Sequence, residues 1–117
     1  MIKGHKGESI SIKNLETDIN DGSIFLDPEY QRDIVWSNKN QCSLITTILN
    51  GFFIPQIILK EQDDEGVKEC VDGKQRLTSI HLFINNEYSI VYGDNKKCFF
   101  KDLEKKTQRV FLNYKLT

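Results

Sequence analysis

Val71-Asp72-Gly73-Lys74-Gln75-Arg76 is the segment whose residue types could do chemistry. It reads as a strand that turns sharply on Gly73 and opens a helix near Lys74. A helix start has backbone N–H groups without intrahelical partners and a partial positive charge, so phosphate groups bind there readily. Gly73 lets the backbone approach a ligand closely. Lys74 adds a point charge, and Arg76 a planar fork that grips phosphate oxygens in pairs. Gln75 can orient a water or a base edge, and Thr78 can offer a hydroxyl to a phosphate or a metal. Asp72 could hold Arg76 in place or help bind Mg²⁺ through water. The plainer reading stands beside this one: Asp72 caps the helix, Gly73 serves the turn, and both cations point to water. The segment is neither a Walker loop nor a GxGxxG turn.

A second segment, Pro28-Glu29-Tyr30-Gln31-Arg32-Asp33-Ile34-Val35-Trp36, gathers Tyr, Gln, Arg and the only Trp before a helix. Arg32 could reach a phosphate, and Tyr30 or Trp36 could stack on a base or on an arginine plane. In the plainer reading Tyr30, Val35 and Trp36 pack in the core and Arg32 pairs with Asp33 or Glu29.

Elements that would position these segments follow from periodicity and turn residues. Glu8 to Ile12 alternates as a short strand. Ser11 caps a helix with Ile12, Leu15 and Ile19 on one face, stopped by Gly22. Ile24 to Leu26 is a second strand. Ser37 or Asn38 caps a helix ended by Gly51, with Leu44, Ile45, Ile48, Leu49 and Phe52 as its apolar stripe. Gln56 to Lys60 reads as a buried strand. It turns at Asp63–Gly66 and pairs with Val67 to Val71 as a hairpin. The helix after Gly73 carries Leu77, Ile80, His81 and Ile84 on one face. Tyr88–Tyr92 and Lys97–Phe100 form a hairpin around Gly93-Asp94-Asn95. A last helix covers Leu103 to about Leu112, and Asn113–Thr117 starts a strand left unfinished. Two hairpins among short helices give an α+β class rather than a doubly wound parallel sheet.

The 117 residues fit one domain, 1–117. With 38% hydrophobic and 28% charged residues, a soluble domain with a moderate core is expected. Sixteen basic and seventeen acidic residues leave a net charge of −1, so no global basic field is available and bulk DNA binding is not expected of this chain. Cys42, Cys70 and Cys98 show no CxxC pair and no zinc-ligand spacing, and are read as reduced thiols, with no metal site assigned. The polar start and the lack of a long apolar run predict a cytoplasmic protein without a membrane span.

Taken together, Pro-x-Tyr-Gln-Arg-x-x-Val-Trp (Pro28 to Trp36), a helix (Leu44 to Gly51), an Ile-Pro-x-Ile strand (Ile54 to Leu59), a hairpin, and Asp-Gly-x-Gln-Arg-Leu-Thr (Asp72 to Thr78) form an ordered signature. It resembles the N-terminal domain of GmrSD-type restriction systems, the DGQQR-motif family, from about Ile10 to Tyr114. The resemblance implies a ParB/sulfiredoxin-like fold: a small mixed sheet with hairpins and three to four short helices. It also implies nucleotide binding and hydrolysis in systems that restrict modified or foreign DNA, phage defence among them. By position, Tyr30, Gln31 and Arg32 would join Gly73, Lys74, Arg76 and Thr78 around one phosphate pocket for a nucleoside triphosphate with Mg²⁺. Asp72 or Gln75 would position water for an NTPase reaction.

Two departures bear on this. The family usually has glutamine where this chain has Lys74, so a water-orienting role there would be lost. Family members also normally continue beyond the last strand, many into an HNH nuclease domain. The only histidines here are His5 and His81, the latter on an apolar helix face, so the chain is expected not to cut DNA by itself. It would be a short or truncated version. The alternative to an NTPase is a non-catalytic nucleotide- or phosphate-binding module acting with a larger nuclease domain or subunit. Sulfiredoxin-like redox chemistry is a third reading. Cys70, two residues before Asp72, would share its strand face, but no Gly-Cys-His-Arg motif accompanies it.

Overall fold

Residues 9–26, 38–61, 66–93 and 96–116 are described by the computed structural model of the chain. The fold is α+β. Its described elements are β1 (Ile10–Ser11), α1 (Ile12–Asn20), β2 (Ile24–Phe25), α2 (Asn38–Leu49), β3 (Ile58–Glu61), β4 (Lys68–Asp72), α3 (Lys74–Ile84), β5 (Ile90–Tyr92), β6 (Lys96–Cys98), a 3₁₀ turn (Phe100–Asp102), α4 (Lys105–Asn113) and β7 (Lys115–Leu116).

Helix ends follow local chemistry. The Ser11 hydroxyl accepts from the Asn14 N–H at 3.1 Å and caps α1. Helix α2 stops at a Schellman turn. Gly51 takes φ +75°, its N–H donates to Ile48 O, and the Phe52 N–H donates to Thr47 O. That turn carries Phe52 off the helical stripe and leaves it 63% exposed, so its expected place among the core residues is corrected. Asn86, at φ +62°, closes α3 with the same pair of bonds, Asn86 N–H to Phe83 O and Glu87 N–H to Leu82 O.

Three small sheets replace the single mixed sheet expected. The central one has the order β2-β4-β3, with β2 parallel and β3 antiparallel to β4. The β3–β4 hairpin was legible. The burial of β3 was not: it is an edge strand with one neighbour, and Ile58 is 40% exposed. β5 and β6 form a hairpin. The C-terminal strand is not left open. β7 pairs antiparallel with β1, Ile10 opposite Leu116, and so joins the two ends of the described chain.

The core lies between α1, α2, α3 and α4. Leu44, Ile45, Ile48 and Leu49 supply the buried stripe of α2. Helix α3 is buried on more than the one face read from its periodicity: Leu77, Thr78, Ser79, Ile80 and Phe83 all lie inside. Phe83 anchors an aromatic cluster, with ring centroids 5.6 Å from Phe111, 5.9 Å from Phe100 and 5.7 Å from Tyr88. Burial of rings at this density is the largest hydrophobic contribution in so small a domain. Among the described residues no helix is long and apolar enough to cross a membrane.

Candidate functional site

Strand β4 ends on Asp72, which pairs with Ile58 across the hairpin. Gly73 then takes φ +84° and ψ +23°, and α3 begins at Lys74. An L side chain at that φ is strained by about 1–2 kcal/mol. Space forbids one as well: a Cβ on Gly73 would stand 3.0 Å from Ile57 Cγ1 and 3.1 Å from Arg76 Nη2. The glycine therefore serves both the turn and a close three-way contact with the Ile57 segment and the arginine.

Gly73 itself occupies the cap position of α3, and no side chain caps the helix there. This removes the plainer reading in which Asp72 is the cap. The first closing bond of the helix runs from the Leu77 N–H to Gly73 O at 2.9 Å. The turn ahead of it presents the positive end of the helix dipole at the mouth of the loop.

Arg76 donates through Nη2 to the carbonyl oxygen of Gln56 at 2.9 Å. That carbonyl, and no ion pair with Asp72, fixes the guanidinium. Residue types alone gave no sign of Gln56, because a main-chain oxygen is carried by every residue. The only hint was its place inside the Ile-Pro-x-Ile stretch. Strand β3 and the preceding Gln56-Ile57 thus form one wall of the loop, and α3 the other.

Four polar atoms on α3 are buried without a hydrogen-bond partner: Gln75 Oε1, Arg76 Nε, Thr78 Oγ1 and Ser79 Oγ. Three of them belong to residues singled out from the sequence. Buried polar atoms are nearly always paired, and leaving one unpaired costs about 1–3 kcal/mol. Their concentration in the first turn and a half of one helix is therefore a feature to be explained. Asp72 and Lys74 are exposed beside them.

Cys70 is 2% exposed, and its Sγ donates to Asp72 O at 3.1 Å. Burial pushes the thiol up to about 11, with smaller opposing effects from that hydrogen bond and from Lys74 and Arg76. A redox or nucleophilic cysteine needs the opposite shift. His81, expected to be packed or at a rim, is a structural tie: its Nδ1 lies 2.8 Å from Glu16 Oε1 on α1, and Asn85 Nδ2 donates to Glu16 Oε2 at 3.1 Å. Sequence reading missed Glu16 as the partner, since sixty-five residues separate the pair. Among the described residues, no three His, Cys, Asp or Glu side chains gather as a metal site would require.

The structure thus brings together Asp72, Gly73, Lys74, Gln75, Arg76 and Thr78 on one loop and helix start. Tyr30, Gln31 and Arg32, with the rest of the Pro28–Trp36 segment, lie outside the described residues.

The family model of the GmrSD restriction endonuclease N-terminal domain matches residues 12–116. The chain belongs to that family. The matched span runs from the first residue of α1 to the last of β7, so it includes every part of the loop just described. No curated protein and no solved structure matches the chain. Membership links this GmrSD N-terminal domain to restriction systems. The shared Asp-Gly-x-Gln-Arg run is carried here as Asp72-Gly73-Lys74-Gln75-Arg76, on a strand-to-helix turn.

Proposed function

We propose that this GmrSD N-terminal domain recognises a nucleoside triphosphate with Mg²⁺ at the start of α3, as the nucleotide-responsive part of a restriction system. The observation that carries the reading is the set of unpartnered buried atoms Gln75 Oε1, Arg76 Nε and Thr78 Oγ1 behind a glycine turn. Their chemistry fits the group. Arg76 Nε is a cationic donor with capacity left after Nη2 has bonded Gln56. Thr78 Oγ1 can donate to a phosphate oxygen or to a metal-bound water, and Gln75 Oε1 can accept from a water. Gly73 admits the ligand to the backbone, and Lys74 supplies charge from the exposed side. Tyr30, Gln31 and Arg32 complete the proposed pocket from the other motif.

The bound metal would supply charge neutralisation at the phosphates. The chain's own part is to hold the phosphate chain with Arg76, Lys74 and Thr78, and to place a water with Asp72 or Gln75. Phosphoryl transfer asks for little else from a protein than position and opposite charge. One observation favours the non-catalytic alternative: Lys74 stands where the family usually has glutamine, so one candidate for orienting water is gone. Turnover is then slow or lost while binding persists, and the domain acts as a sensor for a nuclease domain or subunit.

Titration with labelled nucleotides, followed by phosphate release with and without Mg²⁺, tests both readings. Saturable binding supports the site, and release separates an NTPase from a binding module. An Arg76→Ala variant that keeps the parent's circular dichroism and binds as tightly as the parent overturns the assignment.

A further inference from the structure

A net charge of −1 conceals a partition. Residues 96–117 hold seven of the sixteen basic residues and two of the seventeen acidic ones, a balance of +5, against −6 for residues 1–95. Lys96, Lys97, Lys101, Lys105, Lys106 and Arg109 are all exposed, and none of them forms an ion pair with a described residue. The two carboxylates of this stretch do not neutralise them. Asp102 accepts from the Phe99 N–H at 3.0 Å, and Glu104 sits exposed at the entry to α4.

The pieces that carry these cations are packed on one another. Phe100 of the 3₁₀ turn lies 5.8 Å from Phe111 of α4, and Gln108 Nε2 donates to the carbonyls of Phe100 and Leu103. Phe111 is buried, so the opposite side of α4 faces water, and Lys105, Lys106 and Arg109 stand there at i, i+3 and i+4 spacing. Helix stability does not account for this arrangement. Two lysines occupy the first turn, where the helix dipole disfavours cations, and Lys105 repels Arg109 one turn on.

We propose that the outer face of α4, with the adjoining 3₁₀ turn and β6, is a docking surface for a nucleic-acid backbone, and that double-stranded DNA is its ligand. A one-signed strip about 6 Å along the helix axis between Lys105 and Arg109 meets a polyanion by releasing its counterions. No acceptor-rich or base-reading group lies on this face of the helix, so the contact is without sequence preference and serves to hold the domain against DNA. It is separate from the loop at Gly73, and stands or falls independently of nucleotide binding.

Fluorescence anisotropy of a labelled random-sequence DNA duplex, titrated with the full chain, tests this. Three contacts predict about a forty-fold loss of affinity between about 50 and 200 mM salt. The K105E/K106E/R109E variant should lose detectable binding, while Lys13→Glu on exposed α1 should bind like the parent. Three results overturn the proposal: no binding at low salt, equal binding by the triple variant, or capture of an acidic polypeptide but not DNA through the same residues. A salt-dissociated oligomer of the parent, lost in the triple variant without any DNA binding, also overturns it.

Discussion

Gly73 lies against Ile57 so closely that a β-carbon built on it would stand 3.0 Å from Ile57 Cγ1, at a φ of +84°. Gly22 has nearly the same φ, +86°, with nothing within 4 Å of its virtual Cβ. The pair separates backbone strain from crowding. Gly22→Ala is expected to cost about 1 kcal/mol, the conformational part alone. Gly73→Ala adds displacement of Ile57 and of the Arg76 guanidinium, for a total of about 2–4 kcal/mol. Urea denaturation of both variants gives the comparison. Equal losses would show that the Ile57 contact yields without cost.

Thr78 offers a test of the unpaired atoms. It is fully buried, and its Oγ1 has no partner. Replacing a hydroxyl that bonds to nothing by a methyl removes a desolvation cost, so Thr78→Val is expected to raise stability by about 1 kcal/mol. If the hydroxyl serves a ligand, the same variant should bind nucleotide more weakly, whereas Thr78→Ser should keep binding. A Thr78→Val protein that is destabilised by a kilocalorie or more would mean that the hydroxyl is satisfied within the fold.

The strand-to-helix turn and the helix caps were readable because they depend on neighbours in sequence. Ser11 caps three residues ahead, Gly51 and Gly22 adopt the left-handed turns expected of them, and the β3–β4 hairpin follows from two short apolar runs and a turn. What escaped reading depends on residues far apart. The Gln56 carbonyl is invisible to a search by side-chain type, and β7 reads as unfinished until β1, more than a hundred residues earlier, supplies its partner. Phe52 misled for a local reason: a Schellman turn redirects the chain one residue before it, and the periodicity of α2 carries no mark of that. The charge partition of the C-terminal stretch is plain in the residues but hidden in the net charge, which averages over faces that never meet.

Glu16 and His81 join α1 to α3 at 2.8 Å, with side chains 12% and 15% exposed. Asn85 holds the second carboxylate oxygen. Such a bridge between two core helices is sheltered enough to count, unlike an exposed pair. A double-mutant cycle of Glu16→Gln and His81→Gln is expected to return a coupling energy of about 1 kcal/mol by thermal or urea unfolding at neutral pH. Each single variant should leave nucleotide and DNA binding unchanged, since neither residue belongs to either surface. A coupling near zero would make the contact incidental to α1–α3 packing.

Alkaline pH should weaken the fold through two buried acids. Burial raises the Cys70 thiol from 9.0 to about 11, and burial also raises the Tyr88 phenol, whose hydroxyl donates to Ser79 O at 2.7 Å. In both, the folded state prefers the protonated form, so it binds its proton more tightly than the unfolded chain does. The stability tied to Cys70 is complete below about pH 9 and is lost as pH climbs from there through about 11; the Tyr88 share is lost at still higher pH. Urea midpoints taken across this range should fall for the parent. Cys70→Ala should flatten the first part of that fall, at the cost of some packing at neutral pH. Iodoacetamide should reach Cys70 last of the three cysteines, because both its burial and its protonation keep the thiolate scarce. If Cys70→Ala follows the parent's curve through this range, proton release elsewhere governs the alkaline transition; rapid alkylation of Cys70 in the native protein near neutral pH would mean that β4 opens readily beside the Gly73 loop.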